Sequence, residues 1–134
     1  MSGWTGIDLD RTIAYYDKWR GYEHIGTPIG PMQEFVRKLI AEGKELRIFT
    51  ARAYPIVQTV HQKFTQKDID HNANYPELRG AMQACNAIID WSILHLGKRL
   101  PITCVKDYGM DILYDDRAIQ VIRNTGEIVC NRSN

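Results

Sequence analysis

Six side chains of the types used in phosphate chemistry follow short apolar runs of the chain. They are, in chain order, Asp8, Asp10, Thr50, Lys106, Asp115 and Asp116. A carboxylate that attacks a phosphate is repelled by it unless a cation and fixed hydrogen-bond donors lie between them. Mg²⁺ prefers hard oxygen ligands such as carboxylates, and lysine holds a phosphate as a point charge. The set is therefore typical of magnesium-dependent phosphoryl transfer.

Taken alone, the pair of Asp8 and Asp10 is weak evidence for this chemistry. An Asp-x-Asp at the end of a strand can be a metal site, the cap of a following turn, or a chance occurrence. The ordered set of two carboxylates, a hydroxyl, a lysine and two more carboxylates carries the hypothesis, because phosphoryl transfer needs all of these groups together.

The apolar runs predict four strands, over residues 4–9, 46–49, 102–105 and 112–114. Three helices are predicted between them. The first begins near Pro28 and Pro31 and ends at Gly43, the second covers about residues 54–64, and the third covers about residues 78–96 and ends at Gly97. Residues 15–27 and 66–77 are expected to be loops, and residues 118–130 a closing hairpin around residues 124–126.

Alternating strands and helices predict one α/β domain over residues 1–134, built on a mainly parallel sheet. Ligands of such sheets bind outside the carboxyl ends of the strands. Because each phosphate-type side chain follows a strand, we expect all of them at the same edge of the sheet.

The composition excludes few classes of protein function. The formal charge of +1 gives no indication for or against nucleic acid. No apolar run reaches the ~20 residues of a membrane helix, so we expect no membrane partner and a cytoplasmic protein. The three cysteines are widely spaced and predict neither disulfides nor a zinc site; Cys104 and Cys130 are expected in the core.

The motifs resemble those of the haloacid dehalogenase superfamily of phosphatases, over residues 4 to about 123. The first motif of that family, Asp-x-Asp-x-Thr, corresponds to Asp8-Leu9-Asp10-Arg11-Thr12. The second, third and fourth correspond to Thr50 in IFTAR, Lys106 in TCVKD and the acidic pair in ILYDDRA. The resemblance implies the three-layer α/β/α, Rossmann-like fold of that superfamily and a phosphatase that uses Mg²⁺.

The resemblance also implies roles for individual residues. Asp8 would be the nucleophile and form an aspartyl-phosphate, and Asp10 would protonate the leaving oxygen and then activate water. The metal ligands would be the side chains of Asp8 and Asp115 with the backbone carbonyl of Asp10. Asp116 is either a further acidic ligand or the group that orients Lys106.

Phosphate contacts follow from the same resemblance. Thr50 and Lys106 would hold the phosphoryl oxygens, with Thr12 of the first motif and Arg52 as further candidates. Arg52 is equally interpreted as a solvated arginine at the start of a helix.

The sequence departs from the family at two places. Arg11 stands where a glycine is frequent, and its side chain could project toward the entrance. Residues 13–31 leave room only for a short flap in place of a cap domain. Its side chains Trp19, Tyr22 and His24 either stack on a substrate or pack the loop.

An open site suits large substrates as well as small ones: a nucleotide, a sugar phosphate or a polynucleotide end. The YDDRA ending is similar to that of polynucleotide 3′-phosphatases, and TAR is similar to small sugar-phosphate phosphatases. Two alternatives are a receiver-type signalling domain and a non-catalytic phosphate-binding scaffold derived from a phosphatase. A receiver would have its acidic pair after the first strand, which is the reverse of the order found here.

Overall fold

The computed structural model describes residues 3–129, which form an α/β fold with four parallel strands. The strands are β1 (Trp4–Asp8), β2 (Leu46–Phe49), β3 (Ile102–Thr103) and β4 (Met110–Tyr114). The helices are α1 (Gly30–Ala41), α2 (Gln66–His71) and α3 (Pro76–Leu96), with a short 3₁₀ helix over Ala51–Ala53. The order β3-β2-β1-β4 places β1 inside the sheet, between β2 and β4.

The helices lie over one face of this sheet. The connections β1–α1–β2 and β2–α3–β3 each lead to the next strand in the same direction across the sheet. Because such crossovers are right-handed, both helices lie on the same face of the sheet. All three helices contribute to one hydrophobic cluster with the inward side chains of the strands, among them Ile7, Ile48 and Ile102.

The predicted α/β class and parallel sheet are confirmed, but residues 3–129 show two layers rather than three. The reason is the connection between β3 and β4, which spans residues 104–109 and contains no helix. On the second face, Trp4 is 2% exposed yet stands outside the hydrophobic cluster. Its ring lies under Arg47, and its Nε1 donates to Asp107 at 2.7 Å.

Helix α1 forms where its apolar spacing predicts it. Pro31 lies in its first turn, and Val36 is buried while Met32, Leu39 and Ile40 pack against the core. Gly43, directly after the last turn, has φ 76°, a left-handed conformation that ends helices at little cost only for glycine. Helix α3 is likewise confirmed, beginning two residues earlier than predicted and ending at Gly97 with φ 76°.

The predicted helix over residues 54–64 is wrong. The chain is extended at Tyr54, and Val60 forms an antiparallel bridge to Ile102 at the outer edge of β3. Val60 and Ile102 exchange both backbone hydrogen bonds, at 2.8 and 2.9 Å. Edge pairing therefore satisfies these backbone groups in place of a helix.

The loop predicted over residues 66–77 contains helix α2 and the start of α3. Thr65 caps α2, since its hydroxyl accepts a hydrogen bond from the backbone N–H of Asp68 at 3.1 Å. A threonine followed three residues later by an acidic residue is a sequence signal for this start. Because Ile69 is buried in the core, α2 also contributes to the cluster.

The remaining predictions are confirmed in part. Residues 15–27 contain no helix or strand, as expected. The closing hairpin is reduced to one antiparallel bridge, Val121 to Ile128, and Cys130 lies outside the described residues. Cys104 is only partly buried against the core. No helix within residues 3–129 combines the length and the apolar character needed to cross a membrane.

A glycine inside α3 holds residues 15–27, called the flap from here on, against the helix. Gly80 is buried, and a Cβ built on it would overlap the ring of Tyr22. Trp91 of the same helix donates its indole N–H to the carbonyl oxygen of Gly26 at 2.8 Å. The flap is therefore packed on α3 at two points.

Gly80→Ala is expected to lower the free energy of unfolding by about 1–3 kcal/mol, because overpacking outweighs the gain of about 1 kcal/mol in helix propensity. Denaturant titration followed by circular dichroism measures the change. Gly30→Ala is the matched control, since a Cβ there meets nothing within 4 Å. A gain of about 1 kcal/mol in Gly80→Ala would instead show that the ring of Tyr22 moves aside freely, because only the helix propensity of alanine would then remain.

Candidate active site

Strand register brings three of the sequence motifs together around Asp8. In the parallel pairing of β1 with β2, Asp8 lies opposite Phe49, and Thr50 follows. In the pairing of β1 with β4, Ile7 lies opposite Tyr114, and Asp115 and Asp116 follow. The carboxyl ends of three adjacent strands thus deliver their polar side chains to one edge, as the sequence predicts.

The carboxylates of Asp8, Asp115 and Asp116 form a cluster in which one oxygen of each lies within 4.8 Å of the others. Burial raises the pKa of Asp8 to about 7, and the negative charges of Asp115 and Asp116 add to the shift, although a hydrogen bond from Thr12 opposes it. Three carboxylates at this spacing repel one another unless a cation or a proton intervenes. Their oxygens and spacing suit a hard divalent ion such as Mg²⁺.

Without metal, Asp8 is expected to destabilise the fold at neutral and higher pH. The pKa of Asp8 is about 7 in the folded protein and 3.8 in the unfolded chain. Between these two values the folded protein keeps the proton on Asp8 while the unfolded chain has lost it, so the free energy of unfolding falls as the pH rises from about 4 to 7. Asp8→Asn should therefore raise the free energy of unfolding of the metal-free protein by roughly 1–2 kcal/mol at pH 8. The gain is smaller than the full pKa shift corresponds to, because solvent screens the partly exposed carboxyl group.

Thermal unfolding in chelator at pH 4 and pH 8 measures this difference, which should nearly vanish at pH 4. Asp90→Asn, on the exposed side of α3, is the control. An equal effect of Asp8→Asn at both pH values would contradict the raised pKa.

Thr12 links the first and last motifs. Its hydroxyl donates to Oδ2 of Asp8 at 3.0 Å and accepts from the backbone N–H of Asp116 at 3.1 Å. Its hydrogen is therefore directed at Asp8, and the side chain orients the nucleophile candidate. Thr50, 2% exposed, accepts from the backbone N–H of Arg52 at 3.1 Å and lines the cavity described below.

The side chain of Asp10 lies apart from the three-carboxylate cluster and is held by Arg52. Nε and one terminal nitrogen of the guanidinium donate to the two carboxylate oxygens of Asp10, at 2.8 and 3.0 Å. The side chain of Arg52 is only 4% exposed, which excludes a solvated arginine. A bidentate arginine fixes a carboxylate in orientation as well as in charge.

Arg52 also binds the flap. Its second terminal nitrogen donates to the carbonyl oxygens of Gly21 and Tyr22, both at 3.1 Å. Its guanidinium carbon lies 5.0 Å from the ring centroid of Trp19, within cation–π range. One buried side chain thus couples the position of the flap to the orientation of Asp10.

A cavity of about 420 Å³ opens beside these groups. It is lined by thirteen residues, namely Asp8, Asp10, Arg11, Tyr16, Trp19, Tyr22, Thr50, Ala51, Arg52, Tyr54, Glu77, Asp116 and Arg117. Arg11, at φ 72°, lines it with its guanidinium over the ring of Tyr16. The unusual φ explains why glycine suits this position.

Lys106 is not among the lining residues. It is exposed in the connection between β3 and β4. His24, considered as a stacking residue of the flap, also lies outside this cavity and lines a second, smaller one.

Sequence reasoning did not identify Tyr16, Tyr54, Glu77 and Arg117 as residues of the site. Tyr54 and Arg117 come within a few residues of Thr50 and Asp116, so proximity to a strand end was a usable signal. Glu77 has no such signal, because only the packing of α3 brings it to the cavity.

For the phosphatase that the sequence predicts, Arg52→Lys is expected to lower kcat/KM for an alkyl phosphate by about tenfold or more, because a lysine cannot reproduce the bidentate grip on Asp10. The loss of kcat/KM should be smaller for 4-nitrophenyl phosphate, because kcat/KM reports the step in which the leaving group departs and this leaving group needs no proton. Steady-state kinetics on both substrates measure the two losses. Arg47→Lys, whose ion pairs with Glu45 and Asp107 lie outside the cavity, is the matched control.

Equal losses on the two substrates, together with a raised KM, would show instead that Arg52 contacts the phosphate.

Comparison with known proteins gives no relative for this chain: no family model, no curated protein and no solved structure matches it.

Proposed function

We propose that the protein is a Mg²⁺-dependent phosphomonoester hydrolase of the haloacid dehalogenase type, which acts through an aspartyl-phosphate on Asp8. The observation that carries this proposal is the separation of the carboxylates. Asp8 lies in a cluster with Asp115 and Asp116, while Asp10 is not part of this cluster and binds Arg52. A nucleophile beside a metal site and a separate acid/base group are what this reaction needs.

In the first step, a carboxylate oxygen of Asp8 attacks phosphorus, and the bond from phosphorus to the ester oxygen breaks. Asp10 in its acid form gives its proton to the departing oxygen, and Arg52 keeps the resulting carboxylate in place. Mg²⁺, when bound by the cluster, neutralises charge on the nucleophile and on the phosphoryl group.

In the second step, Asp10 as carboxylate takes a proton from a water molecule that attacks the same phosphorus. The bond between phosphorus and Asp8 breaks, which releases inorganic phosphate and regenerates both carboxyl groups. Thr12 keeps Asp8 oriented throughout, and Thr50 lies in the cavity wall where a phosphoryl oxygen can be bound.

Release of inorganic phosphate tests this proposal, with a panel of nucleotides, sugar phosphates and 3′- or 5′-phosphorylated oligonucleotides. Turnover that requires Mg²⁺ and stops on chelation is the expected result. If no compound is hydrolysed while calorimetry shows Mg²⁺ bound, the non-catalytic phosphate-binding scaffold is the better interpretation.

A further inference from the structure

The cavity beside Asp8 is rich in aromatic side chains. Four of its thirteen lining residues are aromatic: Tyr16, Trp19 and Tyr22 of the flap, and Tyr54 after the 3₁₀ helix. Two of them have structural partners that account for their position. The ring of Tyr22 packs on Gly80, and that of Tyr16 lies under Arg11.

Trp19 and Tyr54 are different, because they remain 52% and 60% exposed although they line a cavity. Large rings left open to solvent at a concave site favour a ligand that covers them.

Trp19 is also held in a fixed orientation. The ring of Tyr22 meets it edge to face, with 5.1 Å between centroids and 89° between planes. The guanidinium of Arg52 lies over it at 5.0 Å. A ring that is already ordered loses little side-chain entropy when a ligand stacks on it.

Trp19, Asp8 and Asp10 line the same cavity, so one small molecule can contact all three. A single guanidinium, that of Arg52, separates Trp19 from the carboxylate of Asp10. The cavity of about 420 Å³ falls within the usual range for small-molecule sites. A phosphate at Asp8 and a planar ring at Trp19 can therefore belong to the same ligand.

On the basis of the proposed function, we infer that the substrate is a mononucleotide-like phosphomonoester whose planar base stacks on Trp19, with Tyr54 beside it. A base stacked on an aromatic side chain binds whatever its sequence identity, because every base has a π-face. The ring serves for recognition and takes no part in the bond changes at phosphorus.

Adenosine 5′-monophosphate and ribose 5-phosphate test this inference, since they share the ribose and the 5-phosphate, and the base of the first is replaced by an anomeric hydroxyl in the second. The expected kcat/KM is about tenfold higher for the nucleotide, the size of one base–aromatic stack. In Trp19→Ala the ratio of the two values should fall to near one. Effects of the substitution on Arg52 act on both substrates alike and cancel in this ratio.

Tyr75→Ala is the matched control, because Tyr75 is exposed and lies outside the cavity. It should keep the ratio of the native protein. Circular dichroism verifies that each variant is folded.

A ratio near one in the native protein, or a ratio that Trp19→Ala leaves unchanged, overturns the inference while Asp8-dependent turnover still supports the phosphatase. If neither compound is hydrolysed, calorimetric titration with both tests the stacking site by itself. Tighter binding of the nucleotide that Trp19→Ala abolishes supports the stacking site, and equal or absent binding overturns the inference. Hydrolysis of another compound of the substrate panel supports the phosphatase in either case, and no hydrolysis across the panel contradicts it.

Discussion

Asp8→Asn is expected to lower phosphate release by at least about 10⁴-fold, because the amide cannot form the aspartyl-phosphate. Asp8 ends the inner strand β1, and its oxygen is oriented by Thr12. An asparagine keeps the size of the side chain and an oxygen that accepts the hydrogen bond of Thr12, so the fold should persist. Phosphate release in the presence of Mg²⁺ measures the effect.

Asp90→Asn is the matched control, an identical change at an exposed ion pair with Lys63. It should retain full activity. Substantial turnover by a folded Asp8→Asn protein would mean that another group, or water alone, attacks phosphorus.

Asp10→Asn is expected to slow turnover by roughly 10²–10⁴-fold, the usual contribution of a general acid/base. The two steps should be affected unequally with 4-nitrophenyl phosphate. Its leaving group departs without a proton, so the aspartyl-phosphate still forms, whereas its hydrolysis lacks the base. Rapid mixing should therefore show a burst of about one nitrophenolate per active site, followed by a slow phase.

Mg²⁺ affinity should change little in Asp10→Asn, because the side chain of Asp10 is bound to Arg52 and lies outside the three-carboxylate cluster. Calorimetric titration with MgCl₂ measures it. Loss of Mg²⁺ binding would show that the carboxylate of Asp10 is a metal ligand and that its role is misassigned.

Much of the candidate site could be predicted from the sequence because its parts are local. A short apolar run followed by a carboxylate predicts a buried parallel strand with a polar end, and one edge of the sheet collects these ends. Asp8, Thr50 and Asp115 lie where this rule places them. Helices α1 and α3 were predictable for a similar reason, since each has a long apolar stripe and a glycine directly after its last turn.

The segment 54–64 was predicted wrongly because its apolar residues fit two structures. Ile56, Val60 and Phe64 are spaced as on one face of a helix, but Val60 instead completes the edge of β3. The free edge of a two-residue strand offers unpaired backbone groups, and satisfying them outweighs a weak local preference. Tyr54 precedes a proline, which disfavours helical backbone and was the local signal against this helix.

The role of Arg52 could not be predicted from the sequence because its partners are distant in the chain. Asp10 is 42 residues away, and Gly21 and Tyr22 are 31 and 30 residues away. Spacing cannot indicate such contacts. The packing of Tyr22 on Gly80 had a weak signal, since a glycine inside a helix costs about 1 kcal/mol relative to alanine and so indicates a packing requirement.

Identification of the covalent intermediate is the decisive test of Asp8 as the nucleophile. Asp10→Asn protein is mixed with 4-nitrophenyl phosphate and Mg²⁺, quenched in acid after the burst, and digested for mass spectrometry. We expect one phosphoryl group on the peptide that contains Asp8, removed by hydroxylamine as an acyl phosphate should be. A phosphoryl group on another residue, or an unmodified protein after a full burst, would contradict this role of Asp8.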